Sequence, residues 1–251
     1  MHYVWTRIAL TSAEVDLNTS RLGDLSDEDM AQNIVLWLTR SSKFYEQQTV
    51  DVPFKVLLQA SERYRHVVES FQWPEYTELV YDEAHALTWA AHNLTDGEQC
   101  TFSRLDSDDS FSVDLFEMLD GTIDCDHILV YHTYRQYNTV TGELTRMQHH
   151  YAPMFATRYI KHWSPISEEG LVAMNGKGNH ENCQLTGVVG NHATYPSHEL
   201  AVSAHGCFAM QRITGRNVAS RFGVIGRDRM EVVPLCDRLD PRFVGYEERI
   251  K

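Results

Sequence analysis

Strand-like and helix-like patterns of apolar residues alternate along the first half of the chain. Residues 2–10, HYVWTRIAL, are largely β-branched, aromatic or aliphatic, and this composition favours a buried strand. Ser26, followed directly by acidic residues, is typical of a helix N-terminus. The apolar residues after it recur at helical spacing: Met30, Ile34, Trp37 and Leu38. The pattern therefore predicts a strand followed by a helix.

The same alternation continues through residue 119. FKVLLQA predicts a second strand, whereas RHVVESF fits a strand or a helix equally well. DEAHALTWAAHNL predicts a helix that Gly97 ends, with this apolar face: Ala84, Leu87, Ala91 and Leu94. CTFSRL then predicts a strand and FSVDLFEML a helix. Alternating elements of these lengths indicate an α/β fold with a mostly parallel sheet, in which a ligand binds outside the carboxyl ends of the strands.

The pattern changes beyond residue 126. Two β-rich stretches flank NTVTGE, where Asn138 and Gly142 supply turn geometry, and together they predict a β-hairpin. From Ala152 onward the sequence is irregular and rich in His, Gly and Asn, as is common in loops that carry function. Ordinary loops show the same composition, so this segment does not by itself indicate a site.

Composition and charge narrow the classes of protein. The chain has 251 residues, 43% hydrophobic and 23% charged, which suits a single domain over 1–251. A formal net charge of -13 argues against general nucleic-acid binding. The five cysteines are widely spaced, without a Cys-x-x-Cys pair, and indicate reduced thiols. With no signal-like N-terminus and no 18-residue apolar run, we expect a cytoplasmic protein without an integral membrane segment.

Three carboxylates are concentrated directly after the predicted strand CTFSRL. Asp106, Asp108 and Asp109 occupy three of four consecutive positions. They are suited to cap the predicted helix that follows, because Asp is favoured at helix N-termini. Three carboxylates exceed what capping requires, however, and they raise one another's pKa unless a cation or an arginine neutralises them. Closely spaced oxygen ligands without Cys or His favour Mg2+ or Mn2+.

A calcium loop is a second interpretation of the same residues. The segment DSDDSFSVDLFE places oxygen-bearing side chains at the ligand positions of an EF-hand loop: Asp106, Asp108, Ser110, Ser112, Asp114 and Glu117. Phe111 stands where that loop requires Gly for its sharp turn, and the preceding residues predict a strand rather than a helix. The pattern therefore favours calcium binding less than a Mg2+ or Mn2+ site.

Several segments together resemble one enzyme family. SRLDSDDSFSVDLFEML closely resembles the TRLDxDDxxxxxF signature of the rhamnosyltransferase-like family of GT-A glycosyltransferases. WTRI resembles that family's first strand, which ends in Thr-Arg. LTRSSKFYEQQTV is similar to an Arg-x-x-x-Phe segment of the first helix, and MQRITGRNVASRF to a C-terminal segment ending in Gly-x-Asn. These similarities span most of the chain in the same order.

The resemblance implies a Rossmann-like GT-A fold, a mixed and mostly parallel sheet flanked by helices. Its Asp-x-Asp element holds Mn2+ or Mg2+ on the diphosphate of a nucleotide-sugar donor. Asp106 would face the ribose or the cation's water, Asp108 would ligate the cation, and Asp109 would reach the donor sugar at the catalytic centre. A cation on both phosphates stabilises the charge that develops on the leaving nucleoside diphosphate.

The resemblance also suggests residues around the donor. Thr6 and Arg7 end the first strand at the edge that receives base and ribose in GT-A enzymes. Arg104 lies two residues before Asp106 on the same strand face, where it either meets a phosphate or balances the carboxylates. Asp82 and Glu83 fit a donor-site role or plain charges in the first turn of a helix.

The third metal ligand and the general base are placed in the irregular C-terminal third. GT-A enzymes often contribute a final metal ligand there, and His205 is our candidate, with His198 as the second choice. An inverting transfer needs a carboxylate to deprotonate the acceptor hydroxyl, and Glu199 is the candidate base. Glu168 and Glu169 lie in a comparable segment, and a retaining transfer would not need this base.

The sequence thus predicts a metal-dependent glycosyltransferase, of the hexosyl or rhamnosyl kind, that acts on a hydroxyl acceptor such as a glycan. Two alternatives remain open. One is a binding protein without catalytic activity, including a calcium module. The other is a metal-dependent nucleotidyltransferase, which would use the same Asp cluster for the same electrostatic reason.

Overall fold

A computed structural model of the chain describes most of its first 171 residues and several later segments. The described residues are 1–11, 24–81, 86–120, 127–131, 133–138, 143–149, 155–171, 184–185, 201–203, 208–213, 230–234 and 242. The strands, numbered in chain order, are β1 His2–Ala9, β2 Phe54–Ala60, β3 Thr77–Tyr81, β4 Cys100–Asp106, β5 Ser110–Phe111, β6 His127–Val130, β7 Thr133–Asn138, β8 Glu143–His149, β9 Ala156–Ile160, β10 Ala201–Ser203, β11 Ala209–Ile213 and β12 Met230–Pro234. They form a larger and a smaller sheet.

Short helices connect the first six strands. The α-helices are α1 Asp27–Leu36, α2 Lys43–Glu46, α3 Arg65–Val68, α4 Ala86–Asn93 and α5 Leu115–Asp120. A π-helical turn, Trp37–Ser41, joins α1 to α2, and a 3-10 turn, Glu62–Tyr64, precedes α3. The predicted cap of α1 is confirmed, since the Ser26 side chain accepts a hydrogen bond from the backbone N–H of Asp29.

The larger sheet has seven strands in the order β10-β6-β9-β4-β1-β2-β3. Every neighbouring pair is parallel except the two that involve β9, which runs antiparallel to both β4 and β6. The chain builds β1, β2 and β3 outward in one direction and then returns to place β4 on the other side of β1. The strand order therefore reverses between β1 and β4, and the carboxyl ends of these strands flank the crevice where such sheets bind ligands.

Apolar side chains cover both faces of this sheet. Val4 and Ile8 of β1 pack into one core with α1, α2 and α5, whereas Tyr3 and Trp5 pack into a second core with α4 and Trp163. Successive side chains of a strand point to opposite faces, so a parallel sheet buried on both sides needs apolar residues at most positions. The predicted α/β class, a mixed and mostly parallel sheet flanked by helices, is confirmed.

The smaller sheet has the order β12-β8-β7-β11-β5. β7 and β8 form the predicted hairpin, with Asn138 paired to Glu143 across the turn. The short strand β5 pairs antiparallel with β11, so the segment after β4 leaves the larger sheet and enters the smaller one. The two sheets therefore meet at the residues that connect β4 to β5.

Three expectations from the sequence need correction. The helix predicted over residues 111–119 begins at Leu115, because Phe111 belongs to β5 and packs edge-on against Phe44, 6.0 Å between ring centroids. On α4 the buried residues include Leu87 and Ala90, while Ala91 is only partly buried. The sequence reading did not identify β3, and it treated the region of β9 as irregular.

Candidate functional site

The predicted Asp cluster forms a tight turn at the carboxyl end of β4. The backbone N–H of Asp109 donates to the carbonyl oxygen of Asp106 at 3.0 Å, which closes residues 106–109 into a turn. We call these residues the acidic turn. It connects β4 of the larger sheet to β5 of the smaller one, next to the strand-order reversal. The structure thus places the predicted cation ligands at the edge where a ligand is expected.

Arg7 and Asp106 form an ion pair across this crevice. They occupy matching positions on the parallel strands β1 and β4. The Arg7 side chain donates to Oδ1 of Asp106 twice, from Nε at 3.1 Å and from Nη2 at 2.7 Å. The two side chains are 22% and 38% exposed, so the pair is partly shielded from water. The sequence suggests both residues for the site but does not predict this pairing.

The whole acidic turn acts on the charge of Arg7. Burial alone lowers the pKa of the guanidinium, but attraction and hydrogen bonding by Asp106, with smaller attractions from Asp108 and Asp109, outweigh it and raise the pKa. Arg7 therefore remains positively charged and offsets part of the repulsion among the three carboxylates. From the sequence, Arg104 is a candidate for this balancing role, and in the structure Arg7 shares it.

The acidic residues differ in exposure. Asp106 and Asp108 are each partly exposed, whereas Asp109 is 3% exposed. The first two are therefore the acids of the turn with the most direct access to a bound ion. A direct contact between Asp109 and a donor sugar, as the resemblance implies, requires the sugar to reach a buried carboxylate or the turn to shift.

Thr6 lies beneath the site rather than in its wall. Its side chain is fully buried, and its hydroxyl approaches the Tyr45 phenol without the geometry of a regular hydrogen bond. Burial raises the pKa of Tyr45, so this phenol stays protonated. In this structure the Thr6 side chain supports the end of β1 from the core and presents no surface to a donor.

Arg104 lies on β4, partly buried, at the position that matches Trp5 of β1. Alternation along β4 puts it on the same face as Asp106, as predicted. Arg104 and the Arg7–Asp106 pair therefore share the sheet face that carries the second core, the core of Tyr3, Trp5 and α4.

The geometry excludes the interpretation of the three aspartates as a helix cap. The acidic turn is followed by β5, and α5 begins only at Leu115, so these aspartates do not occupy the first turn of a helix. The calcium-loop interpretation also fails, because Phe111 is fully buried within β5 in the middle of the proposed loop. An EF-hand loop needs a glycine at this position and a helix before it, and β4 precedes it here.

The donor set fits a partial site for a hard cation. Mg2+ is commonly held by one or two carboxylates together with substrate phosphates, which suits Asp106 and Asp108. Across the described part of the chain, no group of three or more His, Cys, Asp or Glu side chains is arranged to hold a metal ion. A cation at this turn would therefore need oxygen ligands from a bound donor, from water or from residues beyond those described.

Several predicted residues lie outside the described residues: Asp82, Glu83, His198, Glu199 and His205. Glu199 as general base and His205 as metal ligand thus stay predictions. Glu168 and Glu169 are described, and both are exposed on a short helical turn whose Leu171 packs into the second core. In the described segments, no helix is long and apolar enough to cross a membrane.

Several solved structures share part of the chain path at low sequence identity. TarS of S. aureus gives a TM-score of 0.38 at 12% identity over 84% of this chain. This chain spans 60% of that TarS chain, residues 1–349. HddC from Yersinia pseudotuberculosis gives 0.31 at 11% identity, covering 64% of this chain and 73% of its own. The inositol-1-phosphate CTP transferase from T. maritima gives a TM-score of 0.35 at 9% identity, and the match covers 88% of this chain and 93% of that one.

Comparisons of sequence give no relative. No protein-family model matches the chain. No curated protein matches it either. We therefore base the proposed function on the residues and geometry of this chain.

Proposed function

We propose that this protein is a metal-dependent glycosyltransferase of the GT-A kind, which transfers a sugar from a nucleotide-diphosphate donor to a hydroxyl acceptor. The observation that carries the proposal is the position of the acidic turn. Asp106 and Asp108 stand at the carboxyl end of β4, beside the end of β1 and at the reversal of strand order. Carboxylates at this edge are suited to hold a cation against the phosphates of a nucleotide.

Each residue of the turn has a role in the proposal. Asp106 and Asp108 hold Mn2+ or Mg2+, which supplies positive charge for the departing diphosphate. Arg7 fixes the carboxylate of Asp106 in one orientation through its two hydrogen bonds. Asp109, the buried residue of the turn, adds negative charge that strengthens cation binding. Glu199 as the base that deprotonates the acceptor, and His205 as a further ligand, complete the proposal from the sequence.

The test is the thermal stability of the purified protein with nucleotides. We would compare melting temperatures with UDP, GDP, TDP and CDP, each with and without Mn2+, for wild type and Asp108→Ala. Asp51→Ala is the matched control, because Asp51 is exposed just before β2, at the opposite edge of the sheet. A ligand near 100 times its Kd stabilises the folded state by about 2.7 kcal/mol, so the expected rise is about 5–10 °C.

The expected result is that one nucleotide stabilises wild type and Asp51→Ala only with Mn2+, and fails to stabilise Asp108→Ala. Stabilisation by Ca2+ alone, with no further effect of any nucleotide, would contradict the proposal. A nucleotidyltransferase would be stabilised more by a nucleoside triphosphate than by the matching nucleotide sugar, and this comparison separates the two transferase classes. If no ligand changes the melting temperature, the acidic turn has no role in nucleotide binding.

A further inference from the structure

Arg7 occupies Oδ1 of Asp106, one of the two carboxylate oxygens that this residue offers to a cation. Two of its N–H groups, on Nε and Nη2, donate to Oδ1 of Asp106. An oxygen that accepts two hydrogen bonds from a guanidinium has little capacity left for a cation. A divalent cation on the same oxygen would also lie within a few ångströms of the positive charge of Arg7, and the two would repel.

The charge balance of the turn explains why Arg7 is there. Three carboxylates in four positions repel one another, and Arg7 is the positive group whose attraction to all three raises its own pKa. Three negative charges against one positive charge leave a formal charge of −2 for this group. Arg7 therefore offsets part of the repulsion within the turn when no cation is bound, and the remaining negative charge of these side chains attracts a divalent cation.

The guanidinium is also suited to a second acceptor. It carries five N–H donors, and its hydrogen bonds to the described residues use two of them. Arginine binds phosphate oxygens through paired N–H groups. Arg7 lies near the carboxyl end of β1, beside the crevice between β1 and β4, so its guanidinium is placed to meet a phosphate bound in that crevice.

We propose that Arg7 and the divalent cation compete for Asp106, and that cation binding releases Arg7 to bind the phosphates of the donor. The inference rests on the proposed function, because it requires a cation and a phosphate-bearing donor at this turn. It adds an order of binding, in which the cation comes first and the donor second. It also predicts opposite effects of one substitution: loss of Arg7 strengthens cation binding and weakens donor binding.

Arg7→Gln tests these opposite effects. We would measure Mn2+ affinity without nucleotide by titration calorimetry, and then the affinity of the stabilising nucleoside diphosphate at saturating Mn2+. Removing one positive charge a few ångströms from a divalent cation is expected to tighten Mn2+ binding about tenfold. Loss of a guanidinium–phosphate contact is expected to weaken nucleotide binding about tenfold. Lys55→Gln is the control, because Lys55 Nζ and Glu78 Oε2 also form an ion pair between neighbouring parallel strands, at 2.9 Å. Lys55 is the more exposed cation, at 41% against 22% for Arg7.

The outcomes separate this inference from the proposed function. If wild type binds no Mn2+ and no nucleotide, the proposed function fails. If wild type and Lys55→Gln bind both, but Arg7→Gln binds Mn2+ no more tightly than wild type, only the competition is wrong. Should both affinities fall together in Arg7→Gln, the residue has a structural role and the inference is overturned.

A second measurement needs no folded Arg7→Gln variant. In wild type, the hydrogen bond of the Arg7 Nε–H slows its exchange with water, and nitrogen-labelled arginine reports this exchange by NMR. Mg2+, which is diamagnetic, is expected to accelerate the exchange of this one N–H group, which is assigned by its loss in Arg7→Lys. Slow exchange in the presence of saturating Mg2+ would mean that Arg7 keeps its bond to Asp106, and the competition would then be refuted.

Discussion

His2, at the beginning of β1, is a buried histidine that the fold keeps neutral. It is 7% exposed, it hydrogen bonds through Nδ1 with the Thr101 hydroxyl at 2.7 Å, and it stacks on Phe116. Burial, and to a lesser extent the N-terminal positive charge, lower its pKa from 6.5 to about 4, against a raising effect of Asp120. The unfolded chain binds a proton between these values and the folded chain does not, so stability falls as the pH falls from 6.5 to 4.

His2→Phe is expected to remove this part of the pH dependence while keeping the stacking on Phe116. Between pH 7 and 4, wild type should lose up to about 3 kcal/mol more unfolding free energy than the variant, because the His2 pKa is about 4 in the folded state and 6.5 in the unfolded state. Urea unfolding followed by tryptophan fluorescence at several pH values measures the difference. His92→Phe, at an exposed position on α4, is the control. Its unfolding free energy should depend on pH in the same way as that of wild type. If the unfolding free energies of wild type and His2→Phe changed equally with pH, the burial of His2 would not lower its pKa, and this account would be wrong.

At the scale of elements, the link between α4 and β4 depends on one backbone conformation. Gly97 has φ +81°, in the left-handed region, and its N–H donates to the carbonyl oxygen of Trp163 at 2.8 Å. An added Cβ would meet His162 at an ordinary contact distance, so the cost of a side chain comes from the backbone. Gly97→Ala is expected to lower stability by about 1–2 kcal/mol and Gly97→Asn by less, because Asn tolerates this conformation. Equal melting temperatures for the two variants would contradict this account.

The elements that could be predicted are those with a clear apolar pattern within their own stretch of sequence. β1, β2, β4, α1 and the β7–β8 hairpin show it clearly, and all are confirmed. β3 is an outer strand with Val80 as its one buried residue, so its pattern is weak. β9 is buried along its whole length but includes Thr157 and Arg158. The Thr157 hydroxyl is hydrogen-bonded to the hydroxyls of Ser103 and Tyr131. Such distant partners satisfy a buried polar group, and the local sequence does not predict them.

The helix predicted at residue 111 failed for a related reason. Phe111 and Leu115 have helical spacing, and both are buried. Phe111 nevertheless pairs as a strand with Ala209, almost 100 residues later, and this long-range pairing outweighs the local pattern. Boundaries set by distant partners are therefore beyond the reach of periodicity alone.

At the scale of the whole molecule, topology brings the site together. The sequence indicates Asp106, Asp108 and Asp109 because they follow a predicted strand, at the edge that binds ligands, whereas Arg7 is suggested by the resemblance of the first strand to the GT-A family. The hydrogen bonds between Arg7 and Asp106 required knowing that β4 lies directly beside β1 in matching register. Two strands 99 residues apart in sequence acquire that relation only from the order of the whole sheet. Thr6, by contrast, was expected in the site, but strand alternation points its side chain into the core.

The same charge concentration makes the folded molecule less stable when no cation is bound. The acidic turn holds three carboxylates against Arg7 in a chain whose net charge is already -13. Asp108→Asn removes one of these charges, so in the presence of EDTA and low salt it is expected to raise the melting temperature by about 3 °C. Higher salt screens the repulsion and should reduce that gain.

Asp51→Asn is the control for this variant, since it removes one carboxylate from an exposed position away from the turn. Scanning calorimetry of the three proteins in EDTA measures the effect, and addition of Mn2+ should then reverse the ranking, with wild type above Asp108→Asn. Such a reversal would mean that the carboxylates of the turn destabilise the cation-free protein and stabilise the cation-bound one, a cost in stability that is common at functional sites. An Asp108→Asn protein that melts below wild type in EDTA would instead make the Asp108 carboxylate part of what holds the fold together.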